Sequence, residues 1–379
     1  MTRLSRRAEV DPFLAMDVLA EANRLKGAGA PVISLAVGQP AAKAPEAVRR
    51  AAAEAVMTGD LGYTDTLGRP GLRQAIAEHY RDHYGVDVPV SRIAVTTGSS
   101  AGFSLAFLAL TDPGGRVAIT APGYPAYRNI IRALSLEPVE LPVGQDGFDI
   151  DALLAAHARK PIDVLLLASP ANPTGAVLEA PALRAVIEAC GEKGIAFISD
   201  EIYHRLRHTG EDVTALSLGE EVIVINSFSK YYCMTGWRIG WMVLPSAMVR
   251  AVERLSQNLY ISAPDIAQIA APHAFACTAE LDAVKAQYRA SRALLMERLP
   301  GLGMDFAAPP DGAFYAWCDI SRHSNDSMDF ARRMLADIHV AATPGADFDP
   351  FEGDRHLRIS YAGTTEMIAE ALDRIERWL

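Results

Sequence analysis

The chain has 379 residues, half of them apolar, and its acidic residues outnumber the basic ones by 46 to 36, for a formal net charge of −10. This length exceeds the size at which one hydrophobic core usually keeps growing, so we expect two domains. No run approaches the roughly 18 uninterrupted apolar residues of a membrane helix, and no basic block could follow a phosphate backbone. Composition therefore argues against a membrane protein and against a nucleic-acid partner.

The N-terminal region and the cysteines predict a cytoplasmic protein. Acidic residues between positions 9 and 21 interrupt what would have to be the apolar core of a signal peptide. The cysteines, Cys190, Cys233, Cys277 and Cys318, are too far apart to form a Cys-x-x-Cys element. We expect them to be reduced and mostly buried.

Helical and extended patterns alternate along the first part of the chain. Gly27-Ala28-Gly29 precedes a strand at 32–35 rather than a helix, so it predicts a helix end and not a dinucleotide-binding fingerprint. Helical periodicity follows at 45–56 and 72–84, then strands at 93–97, 117–120 and 138–141 alternate with helices at 101–110 and 127–134. This alternation predicts an α/β fold with a mostly parallel, doubly wound sheet.

Four apolar strands lead directly into residues that carry chemistry. They are the strand at 93–97 before Gly98-Ser99-Ser100, that at 164–168 before Asn172, that at 195–199 before Asp200 and Tyr203, and that at 222–226 before Lys230. In open α/β sheets, ligands bind outside the carboxyl ends of parallel strands, so these four ends predict one shared site. A lysine amine delivered by a buried strand is suited to forming a Schiff base.

The C-terminal part predicts a second, smaller domain. A strand at 241–244 is followed by helical sequence, with a long helix at 279–299 and a strand at 312–317. We predict an N-terminal arm at 1–44 that contributes to the small domain, a large cofactor-binding domain at 45–285 and a small α+β domain at 286–379.

Several motifs carry a resemblance to a known family. They are Asn-Pro-Thr-Gly at 172–175, Asp-Glu-Ile-Tyr at 200–203, Ser-Phe-Ser-Lys at 227–230, Gly-Trp-Arg-Ile-Gly at 236–240 and His-Leu-Arg-Ile-Ser-Tyr at 356–361. In order and spacing the chain resembles the class I/II aminotransferases, which are pyridoxal 5'-phosphate enzymes of fold type I, the aspartate aminotransferase-like superfamily. The resemblance implies transfer of the amino group of an L-amino acid to a 2-oxo acid through an internal aldimine on Lys230.

The resemblance also implies which residues bind the cofactor's phosphate. The backbone N–H groups of Ser99 and Ser100 open a helix, whose positive dipole end favours an anion. Ser227 would bind the phosphate as well, and Arg238 would balance its charge. Tyr63, in Gly62-Tyr63-Thr64-Asp65, matches a tyrosine that reaches the phosphate of the neighbouring subunit. A homodimer with shared active sites follows from that match.

Four residues match the family's contacts to the cofactor ring. Asp200 would hold the pyridine nitrogen protonated, because a poorly solvated carboxylate favours a cation beside it. Asn172 and Tyr203 match the donors to the phenolic oxygen, which stabilise its anionic form. Tyr124, in Ala-Pro-Gly-Tyr-Pro at 121–125, matches the aromatic that stacks on the ring face.

The remaining assignments concern the substrate and the proton transfer. Lys230 would bind the cofactor and, once displaced, move a proton between the substrate's α-carbon and the cofactor, with Asp200 and Tyr203 as the other catalytic residues. Arg358 would bind the α-carboxylate with a bidentate fork, assisted by Asn172 and the backbone N–H of Gly38.

Alternatives of other classes remain open at this point. A pyridoxal-phosphate lyase or synthase of the same fold would use the same lysine, aspartate and arginine, and a ligand-sensing regulator would need a DNA-binding domain for which the chain has no room. His79 with His83 and His204 with His208 have i, i+4 spacing, which is compatible with metal binding, but we interpret each pair as a solvated helix face and predict no metal. No residue identifies the side chain of the amino donor.

Overall fold

A computed structural model describes residues 2–59, 61–144 and 147–379. The helices are α1 (Leu14–Gly27), α2 (Glu46–Thr58), α3 (Pro70–Tyr84), α4 (Gly98–Leu110), α5 (Pro125–Ala133), α6 (Ile150–Arg159), α7 (Ala180–Lys193), α8 (Ser246–Leu259), α9 (Asp265–Ala270), α10 (Pro272–Phe275), α11 (Thr278–Arg298), α12 (Ser327–Ile338) and α13 (Thr365–Trp378). The strands are β1 (Ile33–Ser34), β2 (Ile93–Thr96), β3 (Arg116–Ala121), β4 (Glu137–Pro142), β5 (Val164–Ala168), β6 (Ala196–Asp200), β7 (Ile223–Ser227), β8 (Gly240–Val243), β9 (Asp305–Phe306), β10 (Tyr315–Asp319), β11 (Val340–Ala341), β12 (Thr343–Pro344) and β13 (His356–Ser360). Among the residues in these ranges, no helix is both long and apolar enough to cross a membrane.

The larger sheet has seven strands in the order β2-β8-β7-β6-β5-β3-β4. Strand β8 is antiparallel to both of its neighbours, whereas the pairs from β7 to β4 are parallel. Two antiparallel steps return β2 to the direction of β7, so β2, β5, β6 and β7 end at one edge of the sheet. The predicted mostly parallel sheet is thus confirmed.

Both faces of this sheet are buried, which explains its continuous apolar strands. In β5, Val164 and Leu166 pack on the face covered by α4 and α5, and Leu165 and Leu167 pack on the opposite face. All four side chains are almost fully inaccessible to solvent. Each contributes roughly 1.5–3 kcal/mol through burial, so the strands form a rigid base for the residues at their ends.

A second sheet, antiparallel and four-stranded, has the order β12-β13-β10-β9. Arg358 lies on its central strand β13, opposite Trp317 of β10 on one side and Thr343 of β12 on the other. Strand β1 pairs in parallel with β11, and Ile33 stands opposite Val340. The N-terminal segment is therefore attached to the C-terminal part of the chain.

Most predicted elements are confirmed, with shifts of a few residues at their ends. Helix α1 ends at Gly27 and Gly29 has a φ of +91°, so this glycine segment ends a helix as predicted. Helix α4 begins at Gly98, three residues earlier than predicted. Strand β10 begins at Tyr315 instead of residue 312, because Ala313 has a left-handed φ of 57° that interrupts extended backbone.

The prediction of solvated helix faces is wrong for His79, His204 and His208, whereas His83 is exposed on its helix as predicted. His79 lies on α3 with His83, but it is buried and its ring stacks on that of Phe275 at 4.9 Å. His204 and His208 are also buried, and they lie in turns after β6 rather than on a helix. Packing among aromatic rings explains the burial. Within the described ranges no group of three or more His, Cys, Asp or Glu side chains could hold a metal ion.

Candidate active site

A cavity of about 220 Å³ lies at the edge where β2, β5, β6 and β7 end. Its walls include all but two of the residues predicted from the sequence to form a site. Those that line it are Gly38, Ser99, Ser100, Tyr124, Asn172, Asp200, Tyr203, Lys230, Arg238 and Arg358. Ser227 and Tyr63 are not among the lining residues. The four strand ends thus bring their polar residues to one cavity.

Lys230 follows β7, three residues after the strand ends. Its Nζ donates a hydrogen bond to the backbone carbonyl of Gly38, at 2.7 Å. Burial, with a smaller contribution from the cation of Arg358, lowers the pKa of Lys230 to about 8, while Asp200 opposes the shift. An amine with that pKa is partly unprotonated near neutral pH, so it can act as a nucleophile and as a base.

Asp200 is the last residue of β6, and only 2% of its surface is exposed. Its Oδ1 accepts from the backbone N–H of Ile202 at 3.0 Å, and the hydroxyl of Tyr127 donates to Oδ2. Burial raises the pKa of Asp200 to about 6, although both hydrogen bonds oppose the shift. A buried carboxylate of this kind is stabilised by a cation placed beside it.

The start of α4 and Arg238 lie together at one corner of the cavity and make it electropositive. The N-cap residue of α4, Thr97, makes no side-chain hydrogen bond to the helix, which leaves first-turn N–H groups available. Arg238 precedes the antiparallel strand β8, so it enters at the same sheet edge, and its left-handed φ of 51° is an uncommon backbone conformation. Gly98 has a φ of +72°, which favours glycine, and a Cβ atom there would lie 2.3 Å from Nη2 of Arg238 and displace this guanidinium.

Arg358 is buried and held on several sides. Its Nη1 donates to Oδ1 of Asn172 at 3.0 Å and its Nη2 to Oγ1 of Thr343 at 3.2 Å. The guanidinium lies between the rings of Tyr315 and Phe348, whose centroids are 4.5 Å and 4.6 Å from Cζ. Its Nε is buried without a hydrogen-bond partner among the described residues. Such an arrangement presents a pre-oriented fork to a carboxylate.

Two aromatic side chains complete the walls. The hydroxyl of Tyr203 lies 2.7 Å from that of Tyr315. Tyr124 is half-buried at the start of α5, and Phe13 meets its ring edge-on at a centroid distance of 5.6 Å. Burial raises the pKa of Tyr124 to about 12 and that of Tyr203 well above its usual value, so both remain neutral phenols.

The sequence reasoning missed several residues that face the cavity. Tyr127 and Tyr315 contact predicted site residues, but no motif marks either one. Ser229 lines the cavity, whereas Ser227 is not among the lining residues, and the hydroxyl of Ser227 donates to the carbonyl oxygen of Ile239 at 3.0 Å.

Comparison with known proteins identifies the family. Residues 30–375 match the family model for aminotransferase class I and II. The chain belongs to the class I and II aminotransferases. It is therefore an enzyme that transfers amino groups between amino acids and 2-oxo acids, with pyridoxal 5'-phosphate as cofactor.

Similar proteins cover the whole chain. A valine–pyruvate aminotransferase of Mycobacterium tuberculosis is 46% identical over 100% of this chain and 98% of its own length. The crystal structure of an aminotransferase from Mycobacterium tuberculosis has a TM-score of 0.97 at 44% identity, covering 100% of this chain and 99% of that one. Aspartate aminotransferase from Thermus thermophilus, solved with maleate, has a TM-score of 0.94 at 33% identity over 100% of both chains. These matches support the aminotransferase over the lyase, synthase and regulator alternatives.

The cavity of this aminotransferase fits pyridoxal 5'-phosphate in its donors and charges. The N–H groups of α4 and the cation of Arg238 suit a phosphate dianion, and the buried Asp200 carboxylate suits a protonated pyridine nitrogen. Lys230 supplies an amine of lowered pKa within the same cavity. Arg358 lines the same cavity with a guanidinium held between two rings, which suits a substrate carboxylate.

Proposed function

We propose that this aminotransferase takes its amino group from a small aliphatic L-amino acid, with valine as the first candidate, and passes it to pyruvate or a similar 2-oxo acid. The set of cations in the cavity is the observation behind this proposal. In the described part of the chain, the cations that line the cavity are Lys230, Arg238 and Arg358. Lys230 would bind the cofactor, Arg238 the cofactor's phosphate and Arg358 the substrate's α-carboxylate. Among the described residues of this chain that line the cavity, no cation is left for a second carboxylate of a dicarboxylic substrate.

The apolar lining of the cavity supports the same substrate class. Phe13 and Met16, at the start of α1, and Val37, after β1, contribute apolar side chains to the wall. An aliphatic side chain gains free energy on leaving water for such a wall, by roughly 0.8 kcal/mol for each buried CH₂. The 46% identical relative from Mycobacterium tuberculosis is named for valine and pyruvate, which agrees with this reading.

The site residues divide the work of the proposed reaction. Ser99, Ser100, Ser227 and Arg238 would hold the phosphate, Asn172 and Tyr203 the phenolic oxygen, Asp200 the ring nitrogen and Tyr124 one ring face. Arg358, Asn172 and the N–H of Gly38 would bind the substrate's α-carboxylate. When bound, the cofactor supplies a cationic ring that draws electrons from the substrate's α-carbon.

Lys230 would then act as the base and acid of the reaction. Its amine would take up the proton of the substrate's α-carbon and would give a proton back later in the transfer, and its pKa of about 8 suits both directions. Arg358, held between two rings, keeps the α-carboxylate fixed so that the C–H bond stays aimed at Nζ.

A panel of amino donors tests the proposal. Valine, alanine, leucine, aspartate, glutamate and phenylalanine are each offered with pyruvate, 2-oxoglutarate and oxaloacetate, and the oxo acid formed from each donor is quantified. We expect kcat/KM for valine or alanine with pyruvate to exceed that for aspartate at least about tenfold, the factor that 1.4 kcal/mol represents. A preference for aspartate or glutamate would overturn the proposed substrate class while leaving the transamination itself intact.

We also propose the domain division of the sequence analysis, with the arm at 1–44, the large domain at 45–285 and the small domain at 286–379. The seven-stranded sheet falls within 93–243 and the four-stranded sheet within 305–360, which supports the large and small domains. The pairing of β1 with β11 supports assigning the arm to the small domain.

We propose further that two copies of the chain form a homodimer whose active sites are shared. Tyr63 is 84% exposed, and other apolar side chains, Leu61, Tyr260 and Ile261, are exposed near it. The loop that carries Tyr63 is nevertheless anchored, since the N–H of Gly62 donates to Oδ2 of Asp265 at 3.1 Å and Nε2 of Gln268 to Oγ1 of Thr64 at 2.9 Å. An exposed phenol on a loop held by buried side chains suits a contact with a second copy.

A cytoplasmic location is the last part of the proposal. All of the cysteines are free thiols, and Cys190, Cys233 and Cys318 are buried. Thiols that remain unpaired are typical of a reducing compartment. Fractionation of cells that express the natural protein tests this assignment directly.

A further inference from the structure

Tyr315 contacts three parts of the site at once, although no motif marks it. It opens β10, it is 1% exposed, and its hydroxyl lies 2.7 Å from that of Tyr203. Its ring lies under the guanidinium of Arg358, with Cζ 4.5 Å from the ring centroid. The same hydroxyl occupies the space beside Gly38, where a Cβ atom would lie 2.0 Å away.

These contacts fix the phenol in one position. The backbone of Gly38 closes one side, the cation of Arg358 covers one ring face, and strand pairing with Ser360 holds the backbone. Among the described residues, the one hydrogen-bond partner of the Tyr315 hydroxyl is the Tyr203 hydroxyl. Each hydroxyl has a single proton, so the two oxygens share one hydrogen bond and one proton remains to be donated elsewhere.

We infer that Tyr315 is a positioning residue that donates its proton to the Tyr203 oxygen, so that Tyr203 directs its own proton into the cavity. Tyr203 then becomes a stronger donor, because hydrogen bonds in a chain polarise one another at low dielectric. The inference rests on the proposed role of Tyr203 as a donor to the cofactor's phenolic oxygen. It adds that this donation depends on a residue of the second sheet.

The geometry also connects substrate binding to the same pair of phenols. Arg358 stacks on the Tyr315 ring and would bind the substrate's carboxylate. Neutralisation of the guanidinium by a bound carboxylate would therefore change the electrostatic potential beside the Tyr203–Tyr315 hydrogen bond. The other charged or titratable groups near the pair are Tyr124, Tyr288, Tyr361 and Lys230, whose Nζ lies 5.7 Å from the Tyr203 ring centroid.

The test is the pH midpoint of the visible absorbance of the cofactor-loaded protein, measured without substrate. A donor to the phenolic oxygen stabilises its anionic form and so lowers this midpoint. We expect Tyr203→Phe to raise it by about one pH unit or more, and Tyr315→Phe to raise it by roughly half a unit. Tyr315→Phe keeps the ring beneath Arg358, so KM for amino and oxo acids should change less than about threefold, below the 0.7 kcal/mol that such a factor represents.

Two comparisons separate positioning from a general loss of packing. Tyr361→Phe removes another buried hydroxyl, which lies 3.0 Å from Nε2 of His208 and does not line the cavity, and it should leave the midpoint unchanged. In the Tyr203→Phe background, Tyr315→Phe should add no further shift, because its effect passes through Tyr203.

The possible failures are distinguishable. An unchanged midpoint in Tyr203→Phe would contradict the proposed role of Tyr203 and the inference with it. A shift in Tyr203→Phe together with none in Tyr315→Phe would overturn the inference alone. An equal shift from Tyr315→Phe in both backgrounds would also overturn it, since Tyr315 would then act on the cofactor without Tyr203.

Discussion

The hydroxyl of Tyr127 donates a hydrogen bond to Oδ2 of Asp200, and both side chains are buried. Tyr127 lies on α5, one helical turn after Tyr124, and its ring meets those of Phe103 and Tyr124 edge-on. Packing thus holds the phenol toward the carboxylate. This hydrogen bond and that from Ile202 oppose the burial that raises the pKa of Asp200 to about 6.

Removal of this hydroxyl should weaken the hold on the cofactor. Tyr127→Phe leaves a buried carboxylate with one fewer donor, at a cost typical of hydrogen bonds to charged groups, ~1.5–3 kcal/mol. We expect cofactor affinity, measured by absorbance after dialysis against graded cofactor concentrations, to fall about tenfold or more. Tyr288→Phe is the matched control, since that hydroxyl is buried without a partner among the described residues. Equal losses in the two variants would count against a specific contact.

Asp200→Asn should stabilise the cofactor-free protein while it inactivates the enzyme. Burial raises the pKa of Asp200 from 3.8 to about 6. The folded state therefore favours the protonated acid, and the stability this contributes at low pH is lost as pH rises through about 6. Asparagine does not ionise, so the free energy of unfolding of the variant should exceed that of wild type by an amount that grows from pH 4 to 7. This excess should then level off, on the order of 1 to 3 kcal/mol.

Denaturant unfolding of wild type and Asp200→Asn at several pH values measures the difference in their free energies of unfolding. With cofactor bound, wild type should be the more stable of the two. In the holoenzyme the carboxylate faces a ring cation, so its replacement removes a charge-assisted contact and turnover should fall by several powers of ten. Near-normal turnover in Asp200→Asn would rule out a role at the ring nitrogen. A cofactor-free variant no more stable than wild type at pH 7 would contradict the raised pKa.

Lys230 should be the residue that carries the cofactor. Borohydride reduction of the holoenzyme followed by peptide mapping should locate the cofactor on Lys230, and the Lys230→Arg protein should form no covalent adduct under the same treatment. In the cofactor-free protein, reaction of Lys230 with a small acylating reagent should rise with a midpoint near its lowered pKa of about 8, whereas an unperturbed lysine titrates near 10.4. A labelled peptide that lacks Lys230 would end this assignment.

The convergence of Lys230, Asp200 and Asn172 on one cavity could be predicted from the sequence, because each follows an apolar strand and parallel strands end at one edge. The contacts of Tyr127 and Tyr315 could not. Whether a helical tyrosine faces the site depends on how its helix is rotated against the sheet, and Tyr315 enters from a different sheet altogether. Sequence periodicity predicts which residues are buried, but it does not predict the direction in which a buried hydroxyl points.

Arg358→Lys should raise KM for amino acids and oxo acids alike. The guanidinium is oriented by Asn172 and Thr343 and has an unpartnered Nε, whereas lysine offers a compact point charge that cannot make a bidentate contact. We expect an increase of about tenfold or more, corresponding to the loss of one charge-assisted hydrogen bond. Arg355→Lys, at a partly exposed ion pair with Asp319, is the control and should leave KM unchanged. Unaltered KM for both substrates in Arg358→Lys would remove Arg358 from the carboxylate site.

The proposed shared active site predicts that two inactive variants can restore each other. Tyr63 is 84% exposed on an anchored loop and does not line the cavity of its own chain, whereas Lys230 does. If each site takes Lys230 from one chain and Tyr63 from the other, Tyr63→Ala and Lys230→Ala should each be nearly inactive. Mixed in equal amounts and reassorted, about half of the dimers are hybrids with one intact site, so activity should recover to about a quarter of wild type.

Native mass spectrometry checks that hybrids form, and Tyr260→Ala in place of Tyr63→Ala controls for the loss of an exposed tyrosine. Hybrids without recovered activity would assign Tyr63 to its own subunit or to no active site.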